Sequence, residues 1–429
     1  MIVWPGLRRS VSAIQRLFNS ASFFAPLTHS LLLTRGTGSP TFTRASTATV
    51  MGYGPTDNAA DGLKLLTVAA NEARFVGARR ISEGVWSNTF ADGSLIPAAT
   101  NTGYLAEGAR TNRCFYSNTF TSWTGGADGT GSAPTVTPAY ATGPDGAMSA
   151  TRIVLNKGAG TTSADQSYLI GNVIVGLANP HASTQTIWAK MTSGGSALVS
   201  FGSGQVSPAG LLVTSDWQRV EVNNASIASA LDRFDITLRG TYGTSVSADI
   251  LIAFAGLELA EFGSTYIDTP GAAAVTRNAD VDQYQTASNI LAAASTVYLE
   301  FTPYHAPSGT IALWGTYVDA SNYTAILHDA TNLIFRKRIA GSNYDATIAN
   351  AFVSGTTCKI AATWGAAGTA IYLDGVAGTP HANTTAAQIA ATMQVGADGN
   401  SLQQPGAGTT NLRIWQRQLS SPEGVAVTA

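Results

Sequence analysis

The sequence predicts an all-β protein: two β-sandwich (jelly-roll) domains in tandem, after a short N-terminal helical arm and an irregular β-rich collar. Short alternating or apolar runs recur along the chain, and clusters of Gly, Asn, Asp and Ser separate them. Alternation is typical of antiparallel sheets with one buried face, because successive side chains point to opposite sides. Charged residues make up only 12% of the 429 residues, so we expect a polar but sparsely charged surface.

Residues 1–37 form the predicted arm. Apolar residues recur in it at spacings of four, three and four, which places them on one face of a short helix. The chain has no acidic residue before Asp57, so the arm is basic. Its candidate anchoring residues are Leu7, Arg8, Arg9, Val11, Ile14, Arg16 and Phe18. Two interpretations stay open: a helix that covers a local core of its own chain, or a docking or trimerising helix that needs a partner surface.

Residues 38–108 form the predicted collar, an extended β-rich segment with little core of its own. Pro40, Gly54, Pro55 and Gly62 argue against long helices there. Residues 109–288 carry the first set of regularly spaced strand patterns, including STQTIWAKM and SADILIAFAGLELA, and are predicted to form the first sandwich.

Residues 289–429 are predicted to form the second sandwich. In CKIAATWGAAGTAIYLDGV two alternating strands flank a glycine turn, and Asp374–Gly375 supplies a further tight turn that needs positive φ. NLRIWQRQLS predicts a closing strand with an apolar–Trp pair in the core. These segments are similar to the concanavalin-like and laminin-G families, which include lectins, adhesion modules and inert spacers.

Four segments carry a second resemblance: FTRASTATV (42–50), VAANEARF (68–75), GYLAEGARTNRCFYSNTFTSW (103–123) and LELAEFGSTYIDTPGAAAVTRNADV (257–281). They resemble segments of bacteriophage tail and fibre proteins, in which the last two enclose a carbohydrate-binding-module-like jelly-roll. The resemblance implies a virion structural protein, a tail fibre, tail spike or head fibre, assembled in the cytoplasm of the host bacterium. It implies a homotrimer whose arm binds other virion proteins (a tail adaptor or nozzle, or the capsid) and whose sandwiches attach to a host cell-surface glycan.

Two alternatives to attachment remain: a capsid decoration or connector protein without a ligand, and a glycan depolymerase. The sequence predicts no enzyme, since it lacks a motif that places paired carboxylates on one strand face. Glu258 and Glu261, three residues apart on a strand, are interpreted as solvated carboxylates on opposite faces. Asp280 and Asp282 share a face, and two interpretations stay open for them: part of a linker or a calcium site, or a pair for acid–base work.

No cofactor is expected, because the five histidines and two cysteines show no zinc spacing and no phosphate-binding loop occurs. A structural calcium is the one ion that we keep, with Asp319, Asp329 and Asp374 as candidate ligands. The net charge of −2 argues against nucleic-acid binding. No apolar run reaches the roughly 18 residues of a membrane span, so membrane insertion is not expected.

Aromatic residues near Asn and Asp are the candidates for glycan binding. They are Trp314, Tyr317, Tyr323, His328 and Tyr344. Core packing or a subunit interface is the alternative for this group, and four other tryptophans are predicted in the core: Trp188, Trp217, Trp364 and Trp415. Arg336 and Arg338 share one strand face, which predicts a solvated edge that discourages aggregation or, alternatively, a contact to an anionic polysaccharide.

Overall fold

The computed structural model describes residues 13–204, 210–242, 245–306, 309–350 and 352–429, and it confirms the all-β prediction. The described helices are α1 (Ala13–Asn19), α2 (Ser421–Thr428) and two single 3-10 turns, Ala59–Asp61 and Phe120–Ser122.

The described strands are numbered β1 to β31 in chain order. The first eighteen are β1 (Phe23–Ala25), β2 (Thr41–Thr43), β3 (Ala48–Gly52), β4 (Lys64–Val68), β5 (Phe75–Val76), β6 (Arg79–Ser82), β7 (Val85–Ser87), β8 (Gly103–Ala106), β9 (Arg110–Asn112), β10 (Thr124–Asp128), β11 (Ser132–Ala141), β12 (Ala150–Asn156), β13 (Gln166–Val175), β14 (His181–Met191), β15 (Ala197–Ser203), β16 (Leu211–Val213), β17 (Gln218–Ile227) and β18 (Leu231–Arg239). The others are β19 (Ser247–Glu258), β20 (Val275–Arg277), β21 (Val281–Gln285), β22 (Ser295–Pro303), β23 (Ile311–Asp319), β24 (Asn322–His328), β25 (Asn332–Ile339), β26 (Ser342–Ala349), β27 (Cys358–Gly365), β28 (Gly368–Leu373), β29 (Val376–Ala377), β30 (Thr392–Val395) and β31 (Ala407–Trp415).

The chain forms two compact units, and each unit combines segments that are far apart in the sequence. The sequence analysis instead expected consecutive domains. The flanking unit comprises Met1–Arg44, Asn71–Gly108 and Ala279–Ala429, and the central unit comprises Ala45–Ala70 and Ala109–Asn278. Residues 38–108, expected to form a collar with little core, are divided between the two units. Tyr104, in β8, is fully buried in the flanking unit, so part of this segment belongs to a core.

The flanking unit is built from two antiparallel sheets. One has the order β29-β28-β27-β22-β31-β8-β5, with β1 also paired to β31, and the other has the order β2-β21-β30-β23-β24-β25-β26. Phe335 of the second sheet stacks on Trp364 of the first, with ring centroids 5.6 Å apart, and both are fully buried. Burial of these large aromatic side chains provides much of the hydrophobic stabilisation of this core.

The hairpin β27–β28 forms as the sequence predicts. Ile360 pairs with Leu373, and Gly365 pairs with Gly368 across the turn. Asp374 and Gly375 both have positive φ, 46° and 80°, as a primed hairpin turn requires. The closing strand is also confirmed, since Trp415 in β31 is 1% exposed.

The central unit is a second sandwich, with one sheet ordered β10-β13-β18-β15-β16 and the other β11-β12-β19-β14-β17. Trp123 packs against Phe120 and Phe234 in its core, with ring centroids 5.0 and 5.6 Å apart. Of the tryptophans predicted in the core, Trp188 and Trp217 are only partly buried, against a small cluster around Phe254.

Candidate functional site

The strand pairing of the seven-stranded sheet aligns two tyrosines and an arginine in one row. Tyr317 of β23 lies opposite Tyr323 of β24, and Tyr323 lies opposite Arg338 of β25. Directly opposed residues of antiparallel strands project from the same face. This face is opposite to the one that carries the core residue Phe335, and we call it the outer face.

Tyr323 lies in the middle of this row and contacts both of the other side chains. The Tyr317 and Tyr323 rings are stacked, with centroids 6.2 Å apart and an interplanar angle of 21°. The guanidinium carbon of Arg338 lies 6.0 Å from the Tyr323 ring centroid, within cation–π distance. All three side chains are partly exposed, so they remain accessible to a ligand.

Arg338 differs from its neighbour Arg336 in how its charge is satisfied. Arg336 donates two hydrogen bonds to the Asp345 carboxylate, at 2.9 and 2.7 Å. The bonds to Asp345 raise the pKa of Arg336 further above its ordinary value. Arg338 forms no ion pair within the part of the chain that the structure describes, and its Nε has no hydrogen-bond acceptor there.

A cluster of buried apolar residues lies beside the row on the outer side of the sheet. It is formed by Ala312, Ala325, Leu327 and Ile334, against which Tyr323 packs. The outer face therefore combines a partly exposed aromatic surface, buried apolar residues beside it, and one guanidinium without a carboxylate partner among the described residues. Such a combination can stack against the C–H face of a sugar ring and bind a negatively charged substituent on it.

The five aromatic residues predicted from the sequence do not form one site. Tyr317 and Tyr323 lie on the outer face, whereas Trp314, His328 and Tyr344 project from the opposite face by strand alternation. Trp314 is fully buried, and its indole N–H points to the Met393 Sδ at 3.4 Å. Core packing, the alternative interpretation, therefore applies to Trp314.

His328 and Tyr344 also have partners inside the flanking unit. His328 is fully buried, stacks on Phe352 with centroids 4.2 Å apart, and contacts the Asn350 carbonyl oxygen through Nε2 at 2.9 Å. Burial lowers the pKa of His328. Tyr344 contacts the His381 ring edge-to-face at 5.4 Å.

The residue between the two arginines points the other way. Lys337 is fully buried and donates hydrogen bonds from Nζ to the carbonyl oxygens of Asn383 and Thr385, at 3.1 and 2.8 Å. Burial lowers its pKa to about 8. The predicted shared face of Arg336 and Arg338 is thus confirmed, and Lys337 instead holds a loop on the inner side of the sheet.

The predicted anchoring residues lie partly outside the described structure. Leu7, Arg8, Arg9 and Val11 fall outside the described residues, and Ile14, Arg16 and Phe18 belong to α1. Phe18 packs edge-to-face on Tyr298, with centroids 5.4 Å apart, and the Trp415 indole donates a hydrogen bond to the Leu17 carbonyl oxygen at 3.0 Å. The described part of the helix therefore covers a core of its own unit, whereas Ile14 is 42% exposed.

The three aspartates predicted as calcium ligands lie at separate turns. Asp319 accepts hydrogen bonds from Ser321 N and the Asn322 side chain. Asp329 accepts one from Asn332 N at 2.8 Å, and Asp374 accepts one from Lys359 N at 2.7 Å. Among the described residues no group of three or more His, Cys, Asp or Glu side chains is placed to hold a metal. A calcium site in these turns stays a prediction.

Four residues from the phage-like segments meet in one buried ion-pair network, although they are far apart in sequence. They are Arg44 of FTRASTATV, Arg74 of VAANEARF, Glu107 of EGARTN and Asp280 of TRNADV. Arg44 binds Asp280 at 2.8 Å, Arg74 binds Glu107 at 2.8 Å, and Arg74 also pairs with Asp280. Burial alone would lower the pKa of Arg74, but the two carboxylates raise it above its ordinary value.

The interpretation of Asp280 and Asp282 as linker or calcium residues is corrected by their burial. Both are 0% exposed inside the flanking unit. Asp282 differs from Asp280, because no arginine among the described residues pairs with it. The nearby Tyr284 hydroxyl donates its hydrogen bond to the Leu31 carbonyl oxygen instead, at 2.8 Å. Burial raises the pKa of Asp282 well above its ordinary value, because the buried surroundings disfavour the charged carboxylate.

The interpretation of Glu258 as a solvated carboxylate is also wrong. Glu258 is 4% exposed and accepts hydrogen bonds from Ser264 N and Oγ, at 3.1 and 2.8 Å. Arg110 approaches its other carboxylate oxygen to 3.8 Å. Glu261 is exposed, as expected.

No protein-family model and no curated protein matches the sequence. Solved structures of similar fold include domain 4 of the arabinanase AbnA from Geobacillus stearothermophilus in complex with arabinotriose, at 15% identity and a TM-score of 0.29, with 35% of this chain and 73% of that chain covered. They also include the CBM40 domain of a Ruminococcus gnavus sialidase bound to sialyllactose, at 10% identity and a TM-score of 0.27, with 32% and 83% covered. A third is Trypanosoma rangeli sialidase with the inhibitor DANA, at 10% identity and a TM-score of 0.26, with 66% and 67% covered.

These solved structures come from carbohydrate-binding and glycan-active proteins. Sialidases recur among these solved structures, and this finding contradicts the prediction that the chain is not an enzyme. None of these likenesses assigns a ligand or a reaction to this chain. Within the described residues, no helix has the length and apolar character needed to cross a membrane.

Proposed function

We propose that the protein is a bacteriophage virion protein that attaches to a host cell-surface glycan through the outer face of its seven-stranded sheet. The observation that supports this most is the row Tyr317–Tyr323–Arg338, in which an aromatic surface adjoins a guanidinium without a carboxylate partner in the described chain. A buried or half-buried charge without a partner is unfavourable, and an anionic ligand would supply the missing partner.

The favoured ligand class is a polysaccharide that carries carboxylate groups, such as a uronic-acid polymer. Stacking of the sugar ring on Tyr317 and Tyr323 would position its carboxylate beside Arg338. Arg336 is held by Asp345 and adds little net charge, so one carboxylate at a time is the expected stoichiometry. Contacts of this size are weak individually, and many copies on one particle would make them effective through avidity.

The virion role rests on the resemblance of the four quoted segments to phage tail and fibre proteins. In this proposal the arm joins the particle, the protein is a homotrimer, and the flanking unit contacts the cell. Removal of residues 1–35 is a poor test of anchoring, because Phe18 and β1 pack into the flanking unit. Removal of residues 1–12 alone leaves these contacts, and we expect it to abolish incorporation into particles without unfolding the chain.

The decisive experiment measures binding of the full chain to immobilised polygalacturonate, an acidic polymer, and to dextran, a neutral one. We expect binding to polygalacturonate only, and at least a tenfold loss of affinity in Tyr323→Ala and in Arg338→Ala. The matched control is Tyr140→Ala in the central unit. Tyr140 is 43% exposed and lies under Arg152, with the guanidinium carbon 5.0 Å from its ring centroid, but Arg152 already pairs with Asp249.

Equal binding by the wild-type chain and the two outer-face variants would overturn the assignment of this face. No binding to any cell-surface polysaccharide would favour the alternative of a decoration or connector protein without a ligand. Reducing ends are measured in the same incubations, because proteins with a similar fold include glycan-active enzymes. Their release would add a catalytic step to the attachment role.

A further inference from the structure

A cavity of about 330 Å³ lies in the flanking unit, away from the row Tyr317–Tyr323–Arg338. It is formed by the segment around His29, by β2, by the segment that leads into β5, and by the hairpin β6–β7. Its volume is at the lower end of the roughly 300–1,000 Å³ of small-molecule sites in proteins. A ligand of the size of a single sugar ring fits this volume.

The walls of the cavity are aromatic. Phe42, Phe75 and Trp86 line it, and the Phe75 and Trp86 rings meet edge-to-face with centroids 5.8 Å apart. Trp86 is 7% exposed, and its buried indole N–H has no hydrogen-bond acceptor in the described chain. An unsatisfied buried donor is unfavourable and uncommon in proteins, and a ligand oxygen in the cavity would supply the missing acceptor.

Polar groups complete the lining without adding net charge. Glu72 accepts two hydrogen bonds from Arg80, at 2.8 and 2.7 Å, so its charge is compensated. His29 contacts Thr28 Oγ1 through Nδ1 at 3.0 Å, and burial lowers the pKa of His29, which keeps the imidazole neutral at pH 7. Asn71 supplies an exposed amide at the rim.

Hydrogen bonds between Arg44, which follows β2, and Asn71 join two walls of this cavity. Asn71 N donates to the Arg44 carbonyl oxygen at 2.8 Å, and Arg44 N donates to Asn71 Oδ1 at 3.1 Å. The Arg44 guanidinium carbon also lies 5.5 Å from the centroid of the Phe42 ring. The cavity is therefore preorganised, and a ligand would not have to order it.

We propose that this cavity binds an uncharged sugar ring, with the ring packed between Phe42 and Trp86 and its hydroxyls bonded to the Trp86 indole N–H, Asn71 and His29. The balanced charge of the lining favours a neutral ligand, which distinguishes this site from the acidic ligand class of the outer face. This site does not depend on the outer-face proposal, and the two proposals are tested by separate experiments.

The test is a titration of the full chain with galactose, glucose, mannose and N-acetylglucosamine, followed by NMR of the eight tryptophan indole N–H groups. Trp86→Phe keeps an aromatic ring and removes the N–H, so it assigns the Trp86 signal. We expect one of the neutral sugars to shift this signal saturably below about 10 mM, with a dissociation constant near 1 mM. Glucuronate is expected to leave it unchanged.

Leu32→Trp provides a second variant, because Leu32 lines the cavity but is 67% exposed, and a larger side chain there would fill the cavity without disturbing the core. We expect Leu32→Trp to reduce the affinity at least tenfold and Tyr323→Ala to leave it unchanged. An unshifted Trp86 signal with all four sugars, a shift with glucuronate only, or full binding by Leu32→Trp would each overturn the proposal.

Discussion

Arginine has opposite surroundings in two regions of the flanking unit. In the buried network, Arg44 and Arg74 are 0% exposed, and carboxylates of Asp280 and Glu107 bind them. On the outer face, Arg338 is partly exposed, and its guanidinium carbon lies 6.0 Å from the centroid of the Tyr323 ring. A buried guanidinium must be neutralised within the fold, whereas a partly exposed one can be left for a ligand. The first group therefore determines stability, and the second is available for function.

The segments that resemble phage proteins and the proposed contact surface involve different residues. Arg44, Arg74, Glu107 and Asp280 belong to the segments that resemble phage proteins, yet all four are buried and cannot touch a ligand. Their role is to tie distant parts of the chain into one unit. Arg338 belongs to no such segment, and it supplies the proposed ligand contact. A resemblance thus identified the structural framework of the protein and not its contact surface.

The largest expected effect is the loss of one member of the buried network. In Arg74→Met the carboxylates of Glu107 and Asp280 lose a shared partner while they stay buried. Breaking a buried ion pair by removing one partner costs about 3–5 kcal/mol. We expect a loss of that size in the free energy of unfolding of the flanking unit, measured by hydrogen exchange of peptides from β8 and β21 in increasing urea.

The control for this prediction is Arg417→Met. Arg417 also pairs with a carboxylate, Glu423, at 2.8 Å, but their side chains are 46% and 34% exposed. Exposed pairs of this kind contribute about 0–1 kcal/mol. Equal losses for Arg74→Met and Arg417→Met would show that burial does not set the contribution of these ion pairs.

Asp282 is expected to have the second largest effect, and its effect depends on pH. Burial raises the pKa of Asp282 in the folded state, while in the unfolded chain it is near 3.9. Above pH 4 the unfolded state releases this proton and the folded state keeps it, so stability falls as pH rises. The loss is about 1.4 kcal/mol for each pH unit until the folded-state pKa is reached.

Asp282→Asn removes this titration and keeps the shape of the side chain. Tyr104 and Tyr284 are the neighbouring titratable groups, and burial raises the pKa of both, so neither titrates between pH 4 and 7. We expect the variant to gain stability relative to the wild type from pH 4 to pH 7, measured as the difference in melting temperature. A difference that stays constant across this range would mean that Asp282 is ionised in the folded protein.

The sequence predicted the strands well, because the alternating or apolar pattern that marks a buried strand face is contained within a few consecutive residues. The hairpin β27–β28 and the Asp374–Gly375 turn between β28 and β29 depend on residues next to each other in the chain, and both were predicted. The two units were not predicted, because β1, β5 and β8 join a sheet whose other strands lie after residue 294. Such pairings depend on the whole fold and leave no local pattern.

The candidate site was half predicted. Tyr317 and Tyr323 were named from their composition and turn context, but Trp314 and His328 were grouped with them. Strand alternation separates these residues, since an odd number of positions within one strand reverses the face. Tyr323 and His328 are five residues apart in β24, and Trp314 and Tyr317 are three apart in β23. These odd spacings can be counted in the sequence, and they could have separated Trp314 and His328 from the two tyrosines.

The smallest expected effect on stability is that of Arg338→Ala, and it tests the functional side of the comparison. Arg338 has no described ion pair to lose, and its contact with the Tyr323 ring contributes about 0.5–1 kcal/mol at a partly exposed position. We therefore expect the free energy of unfolding to change by less than about 1 kcal/mol, while binding to polygalacturonate falls at least tenfold. Arg336→Ala removes the paired arginine on the same face and is expected to change binding less than Arg338→Ala does. If Arg338→Ala instead destabilised the unit as strongly as Arg74→Met, then its charge would be satisfied within the fold, and the outer face would lose its distinction from the buried network.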